Sequence, residues 1–397
     1  MRVLIWVTHT LRTQSKLFSR ATACNEVSFV YYSPYYYDDD YRLIQKNTKT
    51  DIEYFFRYGF SVFSNTLEEL GYSLSVFKEE DPVAHINTLI EMHGYDKVII
   101  DKPLFNFPNS IDVKKINCKI EFVDSDIYDP SCKEMDPKNR TQYWIENYIE
   151  YGNIVSSTEA AQGINLVGEK FQLLDKNASF DLGESDPTVN RFLTVMAVYN
   201  QTKLKLDGTF RVSGHLQHGI IDQGILVYQI LTTSLYDRID GEIWHLEPLR
   251  KLAKREIDII KARSFGLQPY DDVLEWAELI LDKDSIINLT EVTFPAEFTK
   301  MQVFEELTPN NNINEVVKML KDQGWMHNLL RKWIASKIYY GIGGGPEALE
   351  TIIELFNRYS ADGMSPSNII NSVESLRLID GEVPKFDTED IFSIVGM

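Results

Sequence analysis

Val3-Leu4-Ile5-Trp6-Val7 is an almost uninterrupted apolar run that starts two residues into the chain, the pattern of a strand covered on both faces. Val27 to Tyr32 predicts a second strand, and Leu74-Ser75-Val76, Lys97 to Ile100 and Ile120 to Val123 predict three more. Between them the spacing changes to that of helices. Phe55, Phe56, Val62, Phe63, Leu67 and Leu70 recur on one helical face, with Gly71 placed as a C-terminal cap, and a further helix fits residues 82–93. Strands alternating with helices over 1–125 predict a doubly wound α/β domain with a mostly parallel sheet. No GxGxxG follows the first strand, so the pattern carries no dinucleotide fingerprint at its first turn.

From 126 to 187 the periodicity breaks up around Asp126, Asp129, Pro130, Pro137, Asn139, Gly163 and Gly168, and this stretch reads as an interdomain connection. Residues 188–397 then read as a second, all-α domain. Its first clear helix starts near Pro248 and carries Leu249, Leu252, Ala253, Ile257 and Ile260. Val316, Val317 and Leu320 begin another stripe, Leu329 to Ile338 the next, and Ala348 to Phe356 the one after. Gly343-Gly344-Gly345 lacks the Lys-Ser or Lys-Thr of a phosphate loop and precedes Pro346, so it reads as a connection. Tyr31 to Tyr41, rich in tyrosine and aspartate, reads as a loop or strand-end cluster, with a lip of stacking groups as the alternative.

Charge narrows the functional classes. Lys and Arg total 40 against 59 Asp and Glu, a net charge of −19 that repels polyanions, so a DNA ligand is disfavoured unless a local basic cleft interrupts the field. Cys24, Cys118 and Cys132 are too dispersed for a disulfide framework or an iron–sulfur site, and no His/Cys/Asp cluster has the spacing of a metal site. No apolar run approaches the roughly 20 residues of a membrane helix. These features predict a soluble, intracellular protein.

Four segments of the helical half resemble the flavin domain of the photolyase/cryptochrome family, most closely that of class II cyclobutane pyrimidine dimer photolyases. Ser213-Gly214-His215-Leu216-Gln217-His218-Gly219-Ile220-Ile221 resembles the stretch that holds the flavin diphosphate. Arg255-Glu256-Ile257 with Tyr270-Asp271 and Glu275-Trp276-Ala277, Gly324-Trp325-Met326-His327-Asn328-Leu329-Leu330-Arg331, and Asn357 to Gly363 resemble three later motifs, in the same order. The N-terminus agrees more weakly through Leu4-Ile5-Trp6 and Leu11-Arg12. The resemblance implies a bound FAD, with Ser213, Gln217 and His218 at the diphosphate and Arg331 and Asp362 beside the isoalloxazine. It places Ser367 where the family has an asparagine facing the ring, and Glu256, His327 and Glu374 in the substrate pocket. Arg331 and Asp362 equally suit a buried structural ion pair, and His327 a packed, hydrogen-bonded side chain. If active, the implied enzyme is a DNA photolyase-type lyase, in which reduced flavin passes an electron to a pyrimidine dimer that splits and returns it. The contacts of an antenna chromophore are too dispersed to read.

Departures from the family are concentrated at the chemistry. Ser365 replaces a second carboxylate and Ser367 the ring-facing asparagine; Asn368 comes one residue late, a rotation of about 100° on a helix, and is not read as its substitute. Aliphatic and polar residues around Ile313 and Ile334 stand where tryptophans relay electrons, with Trp333 displaced, and Glu374 replaces a pocket tryptophan. The expectation is therefore a photolyase-like, FAD-binding protein with weak or lost dimer repair. An active deoxyribodipyrimidine photolyase and a flavin-free protein-interaction module on the same fold are the alternatives. Damaged DNA and a protein are its candidate partners.

Overall fold

The computed structural model describes residues 1–12, 15–24, 26–32, 60, 63–77, 81–107, 110–127, 136–146, 212–217, 219, 221, 223–224, 226–227, 230, 246–269, 271–376 and 387–395. The chain divides into two units. One contains Met1–Asn47, Phe55–Glu169 and His218–Gln268, and the other Thr48–Tyr54, Lys170–Gln217 and Pro269–Met397.

The first unit is built on five parallel strands, β1 (Arg2–Val7), β2 (Glu26–Tyr32), β3 (Leu74–Phe77), β4 (Lys97–Asp101) and β5 (Lys119–Val123), in the order β3-β2-β1-β4-β5. Period-two alternation along β1 explains why both faces need cover. Val3, Ile5 and Val7 pack with Phe18, Phe29 and Leu67 on one side, while Leu4 and Trp6 pack with Val30, Ile86 and Ile100 on the other. Helix α1 (Lys16–Thr22) is capped by Ser15, which accepts from Phe18 N. Helix α2 (Pro82–His93), over the span where a helix is expected, has Asp81 as its N-cap, Pro82 in its first turn and a left-handed Gly94 at its end. The helix expected before Gly71 is seen at 63–69, and Gly71 has φ 81°; its earlier part lies outside the described residues. So do residues 33–41 of the tyrosine-rich segment, Cys132, and most of the 126–187 connection, of which α3 (Pro137–Glu146) is described.

Helix α5 (Leu246–Phe265; α4 is Ser213–Gln217, in the other unit) groups with the sheet, although the hydropathy pattern joins it to the helices that follow. The cause is polar. Arg140 of α3 meets Glu256 of α5 in a bidentate pair with Nη2–Oε1 at 3.0 Å and Nε–Oε2 at 3.3 Å, both side chains fully buried. Arg263 donates to Asp124 Oδ2 at 2.6 Å and to the Pro103 carbonyl at 2.5 Å. Gly219 also belongs to this unit: at φ 62° its carbonyl accepts from Leu11 N and Arg12 Nη1, and a Cβ there would lie 2.2 Å from the His9 carbonyl oxygen. No larger residue fits so close a backbone approach.

The order of the strands reverses between β1 and β4, where doubly wound sheets open a crevice at their carboxyl ends. Here a side chain fills the turn. Asp101, fully buried at the end of β4, accepts from the backbone N–H of His9 at 2.9 Å and Thr10 at 2.7 Å, and from Thr10 Oγ1 at 2.9 Å. Burial raises its carboxyl above the ordinary value, with His9 and the two backbone donors pulling the other way. Beside it Asp126 Oδ1 sits 3.2 Å from both His9 Nε2 and Arg255 Nη2. Burial pushes that carboxyl up, but the adjacent His9, with Arg255 and Arg12, outweighs it and holds Asp126 well below the usual carboxylate range. A lowered folded pKa means that this stabilisation is present above the unfolded value of 3.8 and is lost as pH falls below it. Wild type is therefore expected to lose roughly 1 kcal/mol more than Asp126→Asn between pH 6 and pH 3 in urea unfolding; parallel curves for the two proteins would exclude this role for Asp126.

The second unit is helical: α4, α6 (Val273–Glu278), α7 (Lys283–Glu291), α8 (Lys300–Phe304), α9 (Asn311–Gln323), α10 (Asn328–Ile342), α11 (Gly345–Tyr359), α12 (Pro366–Glu374) and α13 (Thr388–Val395). The glycine triplet joins α10 to α11 as read, and its role is spatial. All three residues have positive φ, and a Cβ on Gly344 would lie 2.5 Å from the Val292 carbonyl oxygen. Among the described residues no helix is long and apolar enough to cross a membrane.

Candidate functional site

The second unit brings four of the nine candidate residues, His327, Arg331, Asp362 and Ser367, near one loop. Helix α9 ends at left-handed Gly324, whose carbonyl accepts from Ala361 N at 2.6 Å. That bond draws the 360–365 turn against the start of α10. His327 is the N-cap of α10, its Nδ1 accepting from Leu329 N at 3.1 Å, and it is buried. Such a bond leaves the ring proton of a neutral imidazole on Nε2. His327 thus caps α10 through Nδ1.

One turn into α10, Arg331 is buried with its guanidinium 4.6 Å from the Phe356 ring centroid. Nη1 donates to Asn368 Oδ1 at 2.9 Å, and Nη2 lies 4.0 Å from Asp362 Oδ1. Burial lowers the pKa of the guanidinium and Asp362 partly restores it. The cation is thus held by a neutral amide, an aromatic face and a carboxylate at the outer limit of an ion pair.

Asn368, one residue after Ser367, meets Arg331. The phase of α12 explains it. Ser365 is the N-cap, accepting from Asn368 N at 2.9 Å, and Pro366 starts the helix, so the third helical residue turns inward. Asn368 is fully buried, and its Nδ2 donates to Asn357 Oδ1 at 2.9 Å. Ser367 Oγ is also buried and has no hydrogen-bond partner among the described residues. Ser365 takes the second-carboxylate position of the motif and serves as a cap instead. Asn357, inside a quoted motif yet given no role, carries no sequence signal of its own; only folding brings it to Asn368.

The remaining candidates fall elsewhere. Ser213 and Gln217 bound α4, and Gln217 Oε1 is buried without a partner among the described residues. His218 lies outside the described residues. Glu256 belongs to the other unit, committed to Arg140, and Glu374 is half-buried at the end of α12. Trp276 is buried. Trp333 is buried too, its indole N–H donating to Thr388 Oγ1 at 3.2 Å and its ring edge-on to Phe392.

These donors suit the flavin that the motifs imply. A buried cation short of close negative charge, a carboxamide and an unpartnered buried hydroxyl match the heteroatoms of an isoalloxazine, and unsatisfied polar atoms of this kind are uncommon inside proteins.

No protein-family model matches the chain, and no curated protein does. Solved structures do. A cryptochrome from Synechocystis sp. PCC6803 is similar with a TM-score of 0.67 at 14% identity, over 99% of this chain and 86% of that one. A bacterial class III photolyase from Agrobacterium tumefaciens is similar with a TM-score of 0.58 at 15% identity, over 99% of this chain and 83% of that one. A five-stranded parallel sheet and a helical second unit, matched along nearly the whole chain, identify the fold as that of cryptochromes and photolyases.

Proposed function

We propose that this chain is a member of the photolyase/cryptochrome family that binds FAD in its helical unit and has weak or lost light-driven repair of pyrimidine dimers. One observation carries the flavin reading: Arg331 is buried with its only described carboxylate, Asp362, 4.0 Å away. A buried cation so weakly compensated is costly unless an anionic or strongly accepting group completes its surroundings. FAD supplies, when bound, a redox-active ring that absorbs light. Arg331 and Asn368 would border the ring, Asp362 would orient the guanidinium, and Ser213 and Gln217 would bind the diphosphate. The similarity of the motifs to those of class II photolyases supports these assignments.

The loss of repair rests on other residues. Glu374 replaces a stacking face by a carboxylate, the net charge is −19, and Trp333 is fixed by Thr388 and Phe392 in a place where it is one indole and not a chain of them. Each weakens the hold on an anionic, flipped-out substrate or the supply of electrons. The test is a spectrum followed by an illumination assay. Purified protein reconstituted with excess FAD is expected to retain about one flavin per chain through gel filtration, and to leave a dimer-containing oligonucleotide almost unrepaired under near-ultraviolet light. Full repair turnover would show an active photolyase, and an absence of retained flavin would leave a protein-interaction module.

A further inference from the structure

Asn357 stands at the far end of a hydrogen-bond chain that reaches Arg331. Its Oδ1 accepts twice, from Asn368 Nδ2 at 2.9 Å and from the backbone N–H of Met364 at 3.2 Å. Met364 has φ 63°, unusual for a residue with a side chain, so this bond also holds a strained turn. The two ends of the chain can only donate: one is a peptide N–H, the other a guanidinium. That fixes both amides without ambiguity. Met364 N–H requires the oxygen of Asn357; that oxygen requires the nitrogen of Asn368; and the oxygen of Asn368 is left on Arg331 Nη1 at 2.9 Å. All members are buried or nearly so, where a flipped amide would set two donors against each other.

We propose that Asn357 is a positioning residue that locks the Asn368 carboxamide in this single orientation, with its carbonyl on Arg331. The lock is a property of the free protein; only its ligand rests on the flavin reading above. The same chain keeps the Arg331 guanidinium from reorienting when a ligand arrives.

The test uses full-length protein labelled with ¹⁵N-asparagine, the Asn368 side-chain signals being identified by their loss in Asn368→Asp. Expected in flavin-free wild type is side-chain N–H exchange at least about tenfold slower than at exposed asparagines, as one net hydrogen bond implies. Asn357→Leu, of similar shape, should abolish that protection, and Asn357→Asp, which keeps an acceptor for both donors, should restore it. With FAD, Asn357→Leu should bind about tenfold more weakly and shift the visible flavin band, and Asn357→Asp should revert both. Exchange in wild type as fast as at the surface overturns the lock even where Asn357→Leu does not fold, and so does protection that survives Asn357→Leu. A lock that responds as expected in a protein that never retains FAD sinks the flavin reading and leaves the amide orientation standing.

Discussion

Replacing Arg331 by leucine is expected to leave the protein folded, with unfolding free energy within about 1 kcal/mol of wild type, while weakening FAD retention by roughly 10- to 100-fold. The two halves of that expectation have one source. The guanidinium is buried, so removing it relieves a desolvation cost, and leucine keeps apolar contact with Phe356. What is lost in the free protein is one hydrogen bond to a neutral amide and an ion pair at 4.0 Å, small terms that the relief offsets. Toward a flavin the same guanidinium supplies a charge-assisted bond in a water-poor place, which carries the larger figure. Equilibrium unfolding and fluorescence titration with FAD measure the two quantities separately. A loss of several kcal/mol with flavin affinity unchanged would make Arg331 and Asp362 a structural pair and remove the main support for a cofactor.

Arg140→Leu is expected to do the opposite, costing about 3–5 kcal/mol of stability without acting at the candidate flavin site. Glu256 is fully buried, and a carboxylate stripped of this bidentate cation keeps its desolvation penalty and loses two short charged hydrogen bonds. Gln223 Nε2, at 3.5 Å from Glu256 Oε2, is a contact at the outer limit of a hydrogen bond and carries no charge to replace the guanidinium. The double variant Arg140→Leu with Glu256→Leu should recover most of the loss, since two apolar side chains in that space need no partner. Urea unfolding of the two single variants and the double closes the cycle. A single-variant loss below about 1 kcal/mol would mean that the pair is not what holds α3 and α5 together. It also bears on function, because the resemblance implies a substrate-pocket place for Glu256, both of whose oxygens Arg140 contacts.

The strands and helices were legible in the amino-acid sequence because their signals are local. Burial on both faces makes β1 apolar throughout, and Pro82, Gly94 and Ser365 cap or start helices through their own backbone chemistry. The flavin motifs were legible for a related reason, since short segments such as the one from Gly324 to Arg331 carry their residue types in order. Three things were not. The membership of α5 in the sheet-bearing unit depends on Arg140, more than a hundred positions from its partner Glu256. The glycine triplet reads as a connection, but the carbonyl groups of 292–294 that forbid a side chain there are unrelated to it in sequence.

Asn368 is the sharpest instance. Counting against a motif is silent on which of Ser367 and Asn368 meets Arg331; the helix starts where Ser365 caps it, and that start sets which residue turns toward the guanidinium. Residue type and local period are written along the chain and decide which elements form. Which of two neighbouring side chains meets a buried cation is decided by the phase and packing of helices distant in sequence, and that becomes determinate only when the loop from Ser360 to Ser365 is tied to Gly324.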